Sequence, residues 1–200
     1  RDRPYTYQEP ELAWRSLKNK IEAKDFDKNP DTGISMEQIK SLLNSILKIP
    51  KDFNPLPKIK RLFQNWEQLI STNKTDWALA ELLAYASLLV EGKNVRLSGQ
   101  DVKRGTFSHR HAILFDAITN EDYNRLSKLS DQQAHFFIYN SLLSEFGVLG
   151  FEYGYSLASP NQLVIWEAQF GDFANGAQVI TDQFITTAQS KWNRMSGLVL

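Results

Sequence analysis

The chain has no cysteine, only three histidines and no excess of either charge. Without cysteine there is no disulfide, no thiolate nucleophile and no Cys-based zinc site, a composition that fits a reducing compartment. Twenty-three basic residues balance 23 acidic ones. That leaves no electrostatic footprint for nucleic acid and no basic face for an anionic membrane. No run of about 18 apolar residues occurs, so no membrane-spanning helix is expected. No secretory leader pattern opens the sequence. A glycine-rich phosphate loop and a GxSxG elbow are also missing, and nothing marks out a Ser-His-Asp triad.

What remains is a globular composition. Two hundred residues, 42% of them hydrophobic, with 5 Trp, 7 Tyr and 12 Phe, suffice for the core of one large domain or of a domain with an extension. The sequence opens on Arg1 and closes on "SGLVL", which reads as a buried strand cut in mid-run. It is therefore expected to be a portion of a longer protein, truncated at its C-terminal side.

The first 90 residues read as helical. "PELAWRSLKNKIEAKD" spaces Leu12, Leu17 and Ile21 near a helical period behind Pro10. "SMEQIKSLLNSILKIP" has Ser35 as N-cap and stops at Pro50. "PLPKIKRLFQNWEQLI" aligns Ile59, Leu62, Phe63, Trp66 and Leu69 on one face. Asp76 opens "DWALAELLAYASLLVEGK", and Gly92 lies where a helix C-cap belongs. After Gly92 the pattern changes. "NVRLSG", "HFFIYN" and "QLVIWEAQF" read as strands, "GVLGFEYGYS" and "FANGAQVITDQFITTAQSKW" as helices, and "LVL" as a last strand. Strands alternating with helices predict a parallel α/β sheet, in which ligands bind at the carboxyl ends of the strands. Glu145 lies just past such an end, at the start of a helix.

Some local motifs are decoys. Asp27, Asn29, Asp31 and Ser35 fall on positions 1, 3, 5 and 9 of a calcium loop, but Thr32 replaces its glycine and Gln38 its bidentate carboxylate. A polar loop capped by Ser35 is the simpler reading. "NKT", at Asn73, is a chance glycosylation sequon in a chain with no secretion signal. His109 and His111 in "TFSHRH" supply two metal ligands with no third, so the segment reads either as a solvated loop or as one that bonds a bound ligand. Phe170 and Phe173 are either core residues or a platform for a flat ring.

Three long segments, "VRLSGQDVKRGTFSHRHA", "LLSEFGVLGFEYGYS" and "LVIWEAQFGDFANGAQVITDQF", together resemble the thiamine-diphosphate-dependent decarboxylating component of the 2-oxoglutarate dehydrogenase complex. The resemblance covers Asp76 to Leu200 closely and residues 1–75 loosely. It implies a three-layer, parallel-sheet, transketolase-like pyrimidine-binding α/β domain at residues 91–200, partial at its C-terminus. A helical connector would occupy residues 1–90. It further implies that Glu145, the glutamate of "LSE", hydrogen-bonds N1′ of the cofactor's aminopyrimidine and is catalytic. A partly desolvated carboxylate beside Leu142, Leu143, Phe146, Val148 and Leu149 shares a proton with a weakly basic ring nitrogen more readily than a hydrated one, while a helix N-terminus favours the anion.

By the same resemblance Leu143 lies against the cofactor, Phe173 stacks on the pyrimidine and His109 faces it. Arg110 and His111 are expected near the substrate. Glu81 and Gln100 fall in matching segments with no role assigned, and Glu152 is expected to be a structural helix-face residue paired with a neighbour. The implied reaction is oxidative decarboxylation of 2-oxoglutarate with passage of the succinyl group to a lipoyl arm of the dihydrolipoyl succinyltransferase. The implied protein is a homodimer of the bacterial cytoplasm or mitochondrial matrix, with Mg2+ held by a domain outside these residues. The chain alone is expected to be inactive. The same chemistry on 2-oxoadipate and a non-catalytic calcium-responsive domain are the alternatives.

Overall fold

The computed structural model describes residues 12–17 and 23–200. Helix α1 (Leu12–Leu17) buries Trp14, whose indole Nε1 donates to the carbonyl of Leu157 at 2.8 Å. Pro10 and Ile21, part of the helix expected here, lie outside the described residues, and Ala23–Asp27 form a 3-10 turn. Helix α2 (Met36–Leu47) starts in a full capping box: Gln38 N donates to Ser35 Oγ at 3.2 Å and Ser35 N to Gln38 Oε1 at 3.0 Å. Asp31 Oδ1 accepts from Gly33 N at 3.0 Å. Three of the oxygens that a calcium loop would present are thus engaged by the loop's own backbone.

Helix α3 (Pro57–Ser71) begins with Pro57 in its first turn and buries Ile59, Trp66 and Ile70. Helix α4 (Trp77–Val90) is capped by Asp76, whose Oδ1 accepts from Leu79 N at 2.8 Å. The other oxygen of Asp76 accepts from the indole of fully buried Trp66 at 3.0 Å. One carboxylate therefore caps α4 and satisfies a buried donor of α3. Loss of such a cap costs about 1 kcal/mol, and an orphaned buried N–H a further ~1–3 kcal/mol. Asp76→Ala is expected to destabilise the protein by ~2–4 kcal/mol, read by denaturant titration; a change within ~0.5 kcal/mol contradicts the double role. Past α4 the chain turns at Gly92, with φ +79°, a left-handed position suited to glycine.

Strand β1 (Asn94–Gly99) follows, then a hairpin of β2 (Ile113–Phe115) and β3 (Asp122–Asn124), then β4 (Phe136–Asn140). The remaining elements are helix α5 (Glu145–Ser156), strand β5 (Gln162–Glu167), short helices α6 (Gln178–Ile180) and α7 (Ala188–Trp192), and strand β6 (Leu198–Val199). The main sheet runs β4-β1-β5-β6 with every pairing parallel. The α/β architecture expected from the alternating pattern is what the chain adopts.

Side-chain alternation splits this sheet between two cores. Val95 and Leu97 of β1 and Phe136 and Ile138 of β4 join α2, α3 and α4 in the larger core. Trp166 of β5 joins Val148 and Leu149 of α5 with Ala177 and Ile180 in the smaller one. Helix α4 thus forms one layer over the sheet, and residue 90 marks a change of secondary structure within a continuous core. Helix α5 contains Gly147, Gly150 and Gly154, each unfavourable in a helix by about 1 kcal/mol. Tertiary contacts hold it: Ile180 Cδ1 lies 3.5 Å from where a Cβ of Gly150 would stand. Arg96 of β1 grips the buried Glu152 with two bonds of 2.7 and 2.9 Å. The Arg96 guanidinium also lies 4.8 Å from the Tyr139 ring, 5.2 Å from Phe151 and 4.6 Å from Tyr155.

Two expectations need correction. The long helix expected over residues 173–192 is broken into a 3-10 turn (Asp172–Ala174), α6, a π turn (Thr181–Ile185) and α7. Asn175, at φ −117° and ψ −121°, interrupts the first part. Thr181, Thr186 and Thr187 then bond carbonyls four residues back, at 3.1, 3.2 and 2.7 Å, which competes with the helical ladder. The β2–β3 hairpin lies in and just after a stretch read as a polar loop, since three-residue strands are too short to show alternation. Its turn is set by Asp116, which accepts from the backbone N–H groups of Asn54, Ile118 and Thr119. Those bonds, with Asn54 foremost, pull its carboxyl down to about 2.

Candidate functional site

Parallel strands end together, and the loops that leave them diverge, which opens a crevice at their carboxyl ends. Here the crevice is lined by Gly99 and Gln100 after β1, Ser141 and Leu143 after β4, and Trp166, Glu167 and Asp172 at the end of β5. Glu145 and Val148 of α5 complete it.

Glu145 is the first residue of α5, behind N-cap Ser144, and is half-buried. Among the described residues no hydrogen bond or ion pair engages its carboxylate. Its space depends on Gly176: a Cβ built there would stand 2.8 Å from Glu145 Oε2. An unengaged carboxylate at a helix N-terminus, facing a strand-end crevice, is an acceptor awaiting a donor. Its apolar setting is only half closed. Val148 and Leu149 are buried, whereas Leu142, Leu143 and Phe146 are exposed, and of these Leu143 lines the crevice. Phe107 and Phe170 are also exposed.

Phe173 resolves the alternative of core or platform into something of each. Its ring packs edge-on against buried Trp166, with centroids 5.7 Å apart, while its residue remains 49% exposed. The turn that presents it is held by Gly171 at φ +87° and by Asp172, which accepts from Gln169 N at 2.7 Å.

The segment between β1 and β2 carries the expected histidines in an unusual backbone. Asp101, Gly105, Phe107, Ser108 and His111 all have φ between +46° and +80°. A non-glycine residue held there costs on the order of 1 kcal/mol or more, so surrounding bonds must fix it. Gln169 Nε2 ties Thr106 Oγ1 to the β5 loop at 3.0 Å. Arg110 and His111 donate their N–H groups to the Arg104 carbonyl at 2.9 and 2.8 Å.

His109 is exposed on this segment and does not line the crevice. Arg110 and His111, expected near the substrate, point inward and are buried. Burial, then the charges of Lys58, Arg125 and Arg104, push the His111 imidazole down to about 4, against a smaller opposing effect of Asp101. His111 is therefore neutral near pH 7 in the fold. Because its unfolded value is 6.5, the unfolded chain binds the extra proton between pH 6.5 and 4. The contribution of His111 to stability is complete above about pH 6.5 and is lost as pH falls toward 4. Unfolding in that window is expected to take up about one proton more than in His111→Gln, measurable from the pH dependence of denaturation. Equal slopes would contradict the assignment.

Arg110 joins three elements. Its Nε and Nη2 donate to Glu81 of α4, Nη2 also to Glu167 at the end of β5, and Nη1 to the Val102 carbonyl at 2.8 Å. Burial works against its charge, and the bonds to the two carboxylates more than offset that, so its pKa lies above the ordinary arginine value. Glu167 Oε1 is buried with no hydrogen-bond partner among the described residues. Reading the sequence alone passes over Gly176 and Glu167. The glycine is one of ten in the chain, and the glutamate closes an apolar strand with nothing local to distinguish it.

Residues 73–200 match the family described as the transketolase pyrimidine-binding domain. The chain is 55% identical over 170 residues to the 2-oxoglutarate dehydrogenase E1 component of Rickettsia typhi, covering 84% of this chain and 18% of that protein. It is 52% identical over 174 residues to the mitochondrial 2-oxoglutarate dehydrogenase of Caenorhabditis elegans, covering 86% and 17%. It is 53% identical over 171 residues to the E1 component of Coxiella burnetii, covering 85% and 18%. The chain thus spans about a fifth of the length of the curated relatives it matches.

Proposed function

Because the chain belongs to the transketolase pyrimidine-binding domain family, we propose that it is the cofactor-activating part of a 2-oxoglutarate dehydrogenase decarboxylating component. The observation that carries this reading is the unengaged carboxylate of Glu145, at the start of α5 and in the strand-end crevice, with Gly176 leaving it room.

The residues present suit an aminopyrimidine ring. Glu145 offers the acceptor that a protonated ring nitrogen needs. Phe173, braced on Trp166, offers a flat apolar face, and Leu143 a second apolar contact. Thiamine diphosphate, when bound, supplies the ring system that stabilises carbanionic charge after carbon dioxide leaves. The chain's own residues would bind and orient the pyrimidine, exclude water from it and accept the ring nitrogen's hydrogen bond at Glu145. The diphosphate and its Mg2+ belong to residues outside this chain, as the sequence here lacks a phosphate-binding motif. The exposed apolar side chains of Phe107, Leu142, Phe146 and Phe170 support a homodimer in which a second domain covers the crevice. His109 is assigned to the cofactor side only in that covered state. Residues 1–90 act as connector and residues 91–200 as the pyrimidine domain, with α4 serving both. The acceptor of the succinyl group is the lipoyl arm of a succinyltransferase partner.

No helix among the described residues is long and apolar enough to cross a membrane. The matched relatives are bacterial and mitochondrial by name, so the bacterial cytoplasm or mitochondrial matrix is the proposed location. The test is turnover by the full-length protein with thiamine diphosphate and Mg2+. Release of carbon dioxide from 2-oxoglutarate and succinylation of a lipoyl domain are expected. Turnover of 2-oxoadipate in preference would move the substrate assignment, and no turnover of either acid would defeat the reading.

A further inference from the structure

Arg110 stands where three independent parts of the fold meet. Glu81 is the only charged residue within α4, a helix otherwise built for the core. Glu167 ends β5, pairs in register with Gly99 of β1 and lines the crevice with Glu145. Between them the buried Arg110 guanidinium spans both carboxylates and the Val102 carbonyl. Its stem is fitted as closely as its head: a Cβ on Gly105 would meet Arg110 Cβ at 2.9 Å. The segment it closes is the one with five left-handed residues, a backbone that persists only where its surroundings over-determine it. Glu167, in turn, has one oxygen held by Arg110 and the other buried without a partner among the described residues.

We infer that Arg110 is a positioning residue, which fixes the strained 101–111 segment and Glu167 against α4 so that the crevice around Glu145 keeps its shape. It acts on the cofactor's seat and does not touch the 2-oxoacid. This rests on the function proposed above and adds a residue role to it. A planar fork is needed, because the four bonds, two of them a two-nitrogen grip on Glu81, exceed the three donors of an ammonium. Lysine keeps the charge and loses the fork.

The test uses the full-length protein with three variants, Arg110→Gln, Arg110→Lys and Glu81→Gln. Melting temperature serves as the folding control, and thiamine diphosphate affinity, from fluorescence quenching, is read apart from turnover. Both Arg110 variants are expected to weaken cofactor binding about tenfold or more and to lower kcat by about 10²-fold, with KM for 2-oxoglutarate within about threefold of the parent. Glu81→Gln, which keeps its shape and loses only charge, is expected to move the same quantities in the same direction by less. If the Arg110 variants fail to fold, Glu81→Gln decides alone.

A rise in KM with unchanged cofactor affinity would show that Arg110 meets the substrate and would overturn the inference. Restoration by lysine, or parental values in all folded variants, would overturn it too. If the parent binds thiamine diphosphate but turns over another acid, the function proposed above changes while the affinity measurements still decide the role of Arg110. A parent that binds no cofactor overturns both.

Discussion

Glu145→Gln in the full-length protein is expected to lower turnover of 2-oxoglutarate about 10²–10⁴-fold, the range for loss of a positioned proton-transfer group. The fold should barely notice. Among the described residues the Glu145 carboxylate makes no bond that holds the domain together, and glutamine has nearly its shape. The carboxylate sits half-buried at the N-terminus of α5, where the helix end favours its negative charge. A ring nitrogen that donates to it competes with that field. Glutamine can still accept a hydrogen bond, but it cannot take up the balancing charge of a protonated ring. The loss should therefore appear in kcat and in cofactor affinity, with the melting temperature close to that of the parent. Turnover within threefold of the parent would remove Glu145 from the mechanism.

The second large effect is at Gly176, which carries no chemistry of its own. A methyl group there would stand 2.8 Å from Glu145 Oε2, closer than such contacts allow. The obstructed atom is the end of a flexible side chain, so the backbone need not move. Gly176→Ala should therefore fold normally and push the carboxylate aside. Misplacement of a reacting group by about 1 Å costs roughly 10²-fold in rate, and that is the expected loss of kcat. The double variant Gly176→Ala with Glu145→Gln separates this account from a general defect. If the glycine acts only through the glutamate, the two losses will not multiply. Multiplicative losses would show that Gly176 serves the protein in another way.

Much of the architecture was legible from local signals. Ser35, Asp76 and Gly92 announce helix ends because capping depends on one or two residues close in sequence. Strands β4, β5 and β6 carry short apolar runs, and β1 alternates Val95 and Leu97 with polar residues before Gly99 closes it. Less visible was whatever depends on distant partners. The hairpin depends on Asn54 meeting Asp116, 62 residues apart. The broken final helix depends on threonines whose competition with the ladder shows only in three dimensions.

The candidate site divides the same way. Glu145, Leu143 and Phe173 were placed by motif resemblance, and the fold brings Glu145 and Leu143 into one crevice with the Trp166 that braces Phe173. Arg110 and His111 were expected near the substrate from the same motif resemblance, which does not fix the direction in which their side chains point. Here Glu81 and Glu167, 29 and 57 residues from Arg110, draw its guanidinium into the interior. No local pattern encodes that pairing.

The grip of Arg96 on Glu152 has a rotational meaning. Glu145 and Glu152 are seven residues apart on α5, close to two full turns, so they project from nearly the same side. Arg96 belongs to a central strand and holds Glu152 by both oxygens. The helix therefore cannot roll about its own axis without breaking that fork, nor slide along it without either dragging Arg96 from the ring of Tyr139 or carrying its own Phe151 and Tyr155 away from Arg96. One glutamate acts as the detent that sets the bearing of the other.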